Sequence, residues 1–270
     1  MSPDRQDRFG EWFEALERRH LSRLTPHELR RALQALSSLY VERRDRLGSG
    51  AALEGEGKRA AFALFYSPLH FLTLRGIVRS LALSSPLPET ILDLGCGTGP
   101  AGAAWALECG GRPRIIGVDR NRWAAAEARW TYVEMKLHGK ARPGDLVRVP
   151  LGGRGEAILA AFTVNELEVS ERQRLLPRLI RASHAGSRIL VVEPIARRGF
   201  PWWEQWSAAF LRAGGRSDDW RFPSSLPERL RLLDRATGMD HSELTARSLY
   251  LPATRAKKPG APTEASPDAG

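Results

Sequence analysis

The residues best suited to chemistry gather around one stretch, "ILDLGCGTGPAG" at 91–102, in which Asp93 precedes Gly95, Gly97, Gly99 and Gly102. Residues without a Cβ let a ligand approach the main chain, and this stretch offers that in two registers. Gly97-x-Gly99-x-x-Gly102 fits the dinucleotide fingerprint, which seats a pyrophosphate on the N-terminus of the next helix. Gly95-x-Gly97-x-Gly99 behind Asp93 instead suits an amino-acid moiety and a ribose lying against the turn. Asp93 would then face the ligand's ammonium, a position that a pyrophosphate would avoid. Asp119 stands about twenty residues further on, at the end of a second apolar run, and can accept both ribose hydroxyls in either register. The pattern points to a nucleoside-bearing ligand.

These residues need strand ends and helix starts to hold them. "TILDLG" reads as a buried strand and "PAGAAWALEC" as a helix opening at Pro100, with "RIIGVD" as the second strand. Trp123, Ala126, Trp130, Val133 and Leu137 mark one side of the following helix. "DLVRVPL" is expected as the third strand, "EAILAAF" as the fourth and "RILVVEP" as the fifth, with a helix starting at Ser170 and Gln173 between the last two. Strands alternating with helices predict a parallel sheet covered on both faces. An aromatic helix at 201–213, a helix near 226–236 and a late strand around "ARSLYLP" follow.

The first 85 residues read as helices. Phe9, Trp12, Phe13 and Leu16 share a face, and "TPHE" at 25–28 is a capping box before Leu29, Leu33, Leu36 and Tyr40. "AAFALFY" and "SPLHFLTLRGIVRSLAL" form a pair of apolar helices restarted at Ser67-Pro68. The expected organisation is therefore an N-terminal helical domain (1–85), a ligand-binding α/β domain (86–253) and a disordered tail (254–270).

The chain carries a formal charge of +10, and only five of its 41 basic residues are lysines. This balance favours anionic partners, nucleic acid first, and arginine suits phosphate geometry. Arg122, Arg129, Lys136 and Lys140 fall at helical spacing, and Arg197 and Arg198 lie beyond the fifth strand, so both sets could track an RNA backbone. Cys96 and Cys109 are the only cysteines, which leaves neither a disulfide framework nor a four-thiolate metal site. The six histidines show no metal-ligand spacing. A polar N-terminus and no apolar run of membrane-spanning length predict a cytoplasmic protein without membrane contact.

"LDLGCGTG" resembles the first motif of class I S-adenosylmethionine-dependent methyltransferases, with Asp93, Gly95, Gly97, Gly99 and Asp119 as cofactor-binding residues. "GDLVRVPL" is similar to the adenine-contacting stretch of such enzymes, which places Asp145 near the exocyclic amine. Asn165 and Glu166 follow the fourth strand, where these enzymes place groups facing the substrate, so Asn165 could bind the acceptor and Glu166 act as a base.

A narrower resemblance runs from about residue 25 to 252. "AAFALFYSPLHFLTLRGIVRSL" ahead of the glycine motif, "FTVNEL" at 162–167, "LVVEPIARRGF" at 190–200 and "DDWRF" at 218–222 are similar in order and spacing to the ribosomal small-subunit methyltransferase-like family. Phe162, which opens "FTVNEL", joins the cofactor-binding set. This resemblance implies a Rossmann-like class I methyltransferase sheet behind an N-terminal helical domain, S-adenosyl-L-methionine as cofactor, and ribosomal RNA or the small ribosomal subunit as partner. Many members ligate an iron–sulfur cluster, with one cysteine near the "DW" position. Here Arg221 follows Trp220 and no cysteine follows Cys109, so that scheme cannot operate. A non-catalytic assembly factor and a small-molecule methyltransferase with Trp202, Trp203 and Trp206 around its substrate are the rival expectations. A nicotinamide-dependent oxidoreductase is a third.

Overall fold

A computed structural model describes residues 3–22, 25–42, 53–195 and 200–254. Arg197, Arg198 and, apart from Thr254, the tail lie outside these residues.

The strands among the described residues are β1 (Thr90–Leu94), β2 (Arg114–Asp119), β3 (Gly139–Pro143), β4 (Glu156–Ala161), β5 (Arg188–Glu193), β6 (Arg216–Pro223) and β7 (Glu243–Leu251). They form one sheet in the order β3-β2-β1-β4-β5-β7-β6. The first five are parallel; β7 runs antiparallel to β5, and β6 antiparallel to β7. Alternation of side chains across a strand feeds two apolar layers. Ile91, Ile115, Leu159, Leu190 and Val192 join one, while Leu92, Leu94, Val118, Ile158, Ile189 and Val191 join the other.

The first layer takes the helices α1 (Pro3–Leu21), α2 (Pro26–Glu42), α3 (Glu56–Ala61), α4 (Ser67–Ser80), α5 (Pro100–Glu108), α6 (Arg122–Glu134) and α9 (Glu228–Thr237). The second takes α7 (Val169–His184) and α8 (Pro201–Arg212). The N-terminal helices thus share one continuous core with the sheet. Arg19 and His20 of α1 hold the buried Glu127 of α6, and Arg229 of α9 bonds Glu17 of α1.

Several expectations are corrected. The third strand is "GKARP", not "DLVRVPL": only Ala141 of this edge strand is buried, so its apolar signal is faint. In "DLVRVPL" the Asp145 side chain accepts the Val147 N–H and caps a short 3₁₀ turn, Leu146–Arg148, with Leu146 and Val147 buried. α6 packs through small residues, Ala124, Ala125 and Ala128 with Thr131 and Tyr132, while Ala126 and Val133 are exposed. Lys136 lies beyond the end of α6 and Lys140 on β3, so the four basic residues do not share one helix. The α7 capping box is Glu168 with Glu171, two residues ahead of the expected Ser170 start, because these longer acids reach both backbone N–H groups.

The α-helical part of the lead-in restarts at Ser67-Pro68, where α4 begins, without the chain leaving the helical conformation. The helix runs through Glu56–Ser80, with one wide π turn at Phe62–Tyr66 just ahead of Pro68. Pro68 has no N–H to return to the preceding turn, and the wider turn carries the chain past it. The Ser67 N–H instead reaches the Phe62 carbonyl. By length and composition this helix could cross a membrane, contrary to the expectation, but here its apolar side chains fill the core.

Candidate functional site

The carboxyl ends of β1, β2, β4 and β5 converge beside the glycine turn. Gly95 and Cys96 donate their N–H groups to the Val118 carbonyl at 2.8 and 3.2 Å, tying the turn to β2. Gly95, Gly97 and Gly99 all have positive φ, at 70°, 52° and 87°. Each meets a different surrounding. A Cβ on Gly95 would lie 2.0 Å from Thr163 Oγ1, and one on Gly99 would lie 2.8 Å from Tyr132. At Gly97 the nearest atom would be a Phe62 ring carbon 3.9 Å away. Gly95 and Gly99 are therefore packing positions, and Gly97 is the open one.

Two acids flank the opening. Asp119 Oδ2 accepts the Gly97 N–H and Oδ1 the Asn121 N–H, both at 2.8 Å. Burial raises the Asp119 carboxyl despite these bonds. Asp93 is buried; its Oδ2 accepts the Gly102 N–H at 3.0 Å in the first turn of α5, and Oδ1 has no partner. Burial pushes Asp93 up to about 7, with the charge of Asp119 acting the same way against the Gly102 bond.

The expected adenine-side residue, Asp145, is partly exposed and engaged by Arg120 at 3.2 Å and Arg148 at 3.4 Å. Burial alone would raise it, but the Val147 N–H and Arg120 hold it below the usual range. Arg120 also bonds Glu171 at the start of α7, so it straps the Asp145 turn to that helix.

Past β4, Phe162 takes φ 57°, rare for a residue with a side chain, and donates its N–H to the Val192 carbonyl at 2.7 Å. Its ring stacks on His70, with centroids 3.9 Å apart. Phe62 and Tyr66 of the π turn also touch His70. Desolvation pushes His70 down to about 3, so this aromatic wall is uncharged at neutral pH. Asn165 and Glu166 form the short turn after β4, and the Asn165 N–H bonds Glu193 Oε1 at 3.1 Å.

The structure thus brings Asp93, Gly97, Asp119, Phe162, Asn165 and Glu166 to one face, with Asp145 at its margin. Sequence reasoning missed Glu193, read only as the end of a strand. It also missed Ser67, whose hydroxyl lies 2.5 Å from that of Thr98 inside the glycine turn. The hydroxyl pair joins segments 31 positions apart, and Ser67 lies outside the glycine motif that holds Thr98. Of the three tryptophans that only the small-molecule rival sets around a substrate, Trp203 and Trp206 are buried in the layer under α8.

Residues 91–186 match the family described as a methyltransferase domain. Among solved structures the chain is similar to mitomycin 7-O-methyltransferase, at 16% identity over 83% of this chain and 68% of that one, with a TM-score of 0.51. Magnesium protoporphyrin IX methyltransferase from Synechocystis PCC 6803 gives 13% over 82% and 97%, with a TM-score of 0.47. A TehB-like methyltransferase from Corynebacterium glutamicum gives 18% over 67% and 87%, with a TM-score of 0.44. No curated protein sequence matches the chain. The likeness to the mitomycin enzyme shows a Rossmann-like class I methyltransferase fold, and the methyltransferase-domain match lies on residues 91–186, the glycine turn and the strands around it. Among the described residues, no group of three or more metal-ligating side chains comes together.

Proposed function

We propose that the chain moves the methyl group of S-adenosylmethionine onto RNA, with small-subunit ribosomal RNA as the acceptor or docking partner. The observation that carries the cofactor half is the open position at Gly97 between two acids, one of which keeps a buried oxygen without a partner. Such an oxygen calls for a cationic or N–H-bearing group, which a methionine ammonium supplies. Asp119 would hold the ribose, Asp145 the adenine amine, and Phe162 the edge of the cofactor site. Bound S-adenosylmethionine supplies an electrophilic methyl group; the chain contributes alignment and, for a protonated acceptor, a base. Asn165 orients the acceptor and Glu166 takes its proton.

The RNA half rests on the exposed basic side chains of Arg122 and Arg129 on α6 and of Lys140 and Arg142 on β3, which packs against that helix. The uncharged wall of Phe62, Tyr66, His70 and Phe162 supports a second reading, a planar small-molecule acceptor. The deciding experiment follows labelled methyl from S-adenosylmethionine into total RNA, protein and small-molecule extracts. Label in RNA supports the first reading and label in small molecules the second. Cofactor binding without any transfer would support an assembly factor. Calorimetry with Asp119→Ala tests the pocket itself: losing a charge-assisted bond costs about 1.5–3 kcal/mol, so affinity should fall at least about tenfold. Unchanged affinity would remove Asp119 from the site.

A further inference from the structure

The helices α1, α3 and α6 enclose a cavity of about 480 Å³, the size of a small-molecule site, and its lining includes none of Asp93, Gly97 and Asp119. Its side chains are already held in place. Glu127 of α6 is buried, and its carboxylate accepts Arg19 Nε–H at 2.9 Å and meets His20 Nε2 at 2.8 Å. Burial alone would raise this acid, but His20 and Arg19 hold it below the usual range, so its charge is spent on them. Arg19 also lies over the Trp130 ring, 4.8 Å from the centroid, which fixes its guanidinium on two sides. On α3, Arg59 donates its Nε–H to the Leu53 carbonyl at 3.0 Å and lies over Trp123, 5.6 Å from the ring centroid. His20 meets that same indole edge-on.

The second acid of the lining is Glu56, exposed at the start of α3. Two guanidiniums against two carboxylates leave little net charge, so a bare anion gains little here. An indole beside fixed guanidinium donors suits a ligand that carries both a flat ring and a phosphate. The setting on α6 agrees with that chemistry. Trp123, Glu127 and Trp130 form the helical stripe next to the exposed Arg122, Ala126 and Arg129, the face assigned above to an RNA backbone.

We propose that this cavity is a nucleotide site, and that in the bound RNA it takes one unpaired nucleotide, base against Trp123 and phosphate on Arg59. The inference rests on the RNA reading above and narrows it to RNA with a single-stranded segment at this face. A base stacked inside a duplex does not enter, because its faces are already covered.

The probes are uridine 5′-monophosphate, uridine and inorganic phosphate, titrated into the full chain with S-adenosylhomocysteine in excess to fill the cofactor pocket. The nucleotide is expected to bind at least about tenfold more tightly than either fragment. Trp123→Leu should weaken it about tenfold through lost stacking. Arg59→Gln should weaken the nucleotide while leaving uridine as in wild type. Should Trp123→Leu fail to fold, Arg59→Gln carries the measurement alone. With a short RNA, the single strand should bind more tightly than its duplex, and Arg59→Gln should lower the salt slope by about 0.7. A nucleotide that binds no better than phosphate, affinities that neither variant changes, or no nucleotide binding once the cofactor pocket is filled overturns the proposal. RNA affinity that both variants leave intact overturns it too, while sparing the RNA reading. Nucleotide binding that Arg59→Gln weakens, with neither affinity for RNA nor methyl transfer to it, keeps the site and overturns the RNA reading alone.

Discussion

At Gly95 and Gly97 the same substitution should separate folding from binding. Both residues have positive φ, and alanine in that region costs about 1–2 kcal/mol. At Gly95 the added carbon also meets Thr163 Oγ1 at 2.0 Å, in a turn fixed by two backbone bonds to Val118. Gly95→Ala should therefore lose a further 1–3 kcal/mol, roughly, from overpacking. Gly97→Ala meets nothing closer than 3.9 Å, so it should cost only the backbone term while filling the space left to the ligand. Denaturant unfolding paired with cofactor calorimetry checks both: Gly97→Ala should lose only the backbone cost of about 1–2 kcal/mol and bind at least about tenfold more weakly. A pH prediction belongs to the same scale. Asp93, Glu166 and Glu193 are held at about 7, 8 and 8 in the folded chain. As pH rises past the ordinary carboxylate range the unfolded chain ionises these groups first, so stability falls until the folded values are passed. His70 opposes this below about pH 6.5, because its unfolded form takes up a proton that the folded form refuses. Three acids outweigh one histidine, so cofactor-free protein should lose stability from about pH 5 to 8, most steeply above 6.5. Asp93→Asn should flatten that slope in denaturant melts.

The elements that make the site are held by contacts of different legibility. The β1–glycine–α5 unit could be read from the sequence because its signal is local: an apolar run, the glycines, then Pro100 at a helix start. That β1, β2, β4 and β5 are parallel strands followed from alternation with helices, and α8 and α9 came within a few residues of expectation. β3 and β6 were not legible because each lies at a sheet edge. There, one-sided burial leaves sequences such as "GKARP" and "RSDDWRFP" polar. The sequence offers Phe162 and Asp93 as candidate site residues, but not the stack on His70 or the orphan oxygen, since both depend on segments meeting through the fold. The Ser67–Thr98 pair is the clearest case of such a contact, as it ties the wide turn of the lead-in helix to the glycine loop. Ser67→Ala would leave the fully buried Thr98 hydroxyl without its side-chain partner, at about 1–3 kcal/mol. The double variant Ser67→Ala/Thr98→Val should recover much of that loss in stability. If Ser67→Ala alone leaves cofactor affinity unchanged, the lead-in helix is a support for the core rather than for the pocket.

At the scale of the whole molecule, part of the formal excess of +10 lies together: Arg122 and Arg129 of α6 and Lys140 and Arg142 of β3 are exposed around one sheet edge. Some of that charge is already engaged, since Arg129 donates to the Ala141 carbonyl at 2.9 Å and Lys136 lies 3.9 Å from Glu11. Arg122, Lys140 and Arg142 are therefore the residues to test. Phosphate contacts act through counterion release, so log affinity should fall with log salt by about 0.7–0.9 per phosphate neutralised. Replacing these three by Gln together should lower the slope by roughly two units, while cofactor affinity should stay as in wild type, since the proposed pocket at Gly97, Asp93 and Asp119 involves none of them. The measurement is RNA binding by fluorescence anisotropy over a salt series, with wild type and the triple variant side by side. A slope that the triple variant leaves unaltered would move the RNA to another face of the molecule. A wild type with no salt-dependent affinity would end the ribosomal reading, and the aromatic wall of Phe62, Tyr66, His70 and Phe162 would become the place to seek the acceptor.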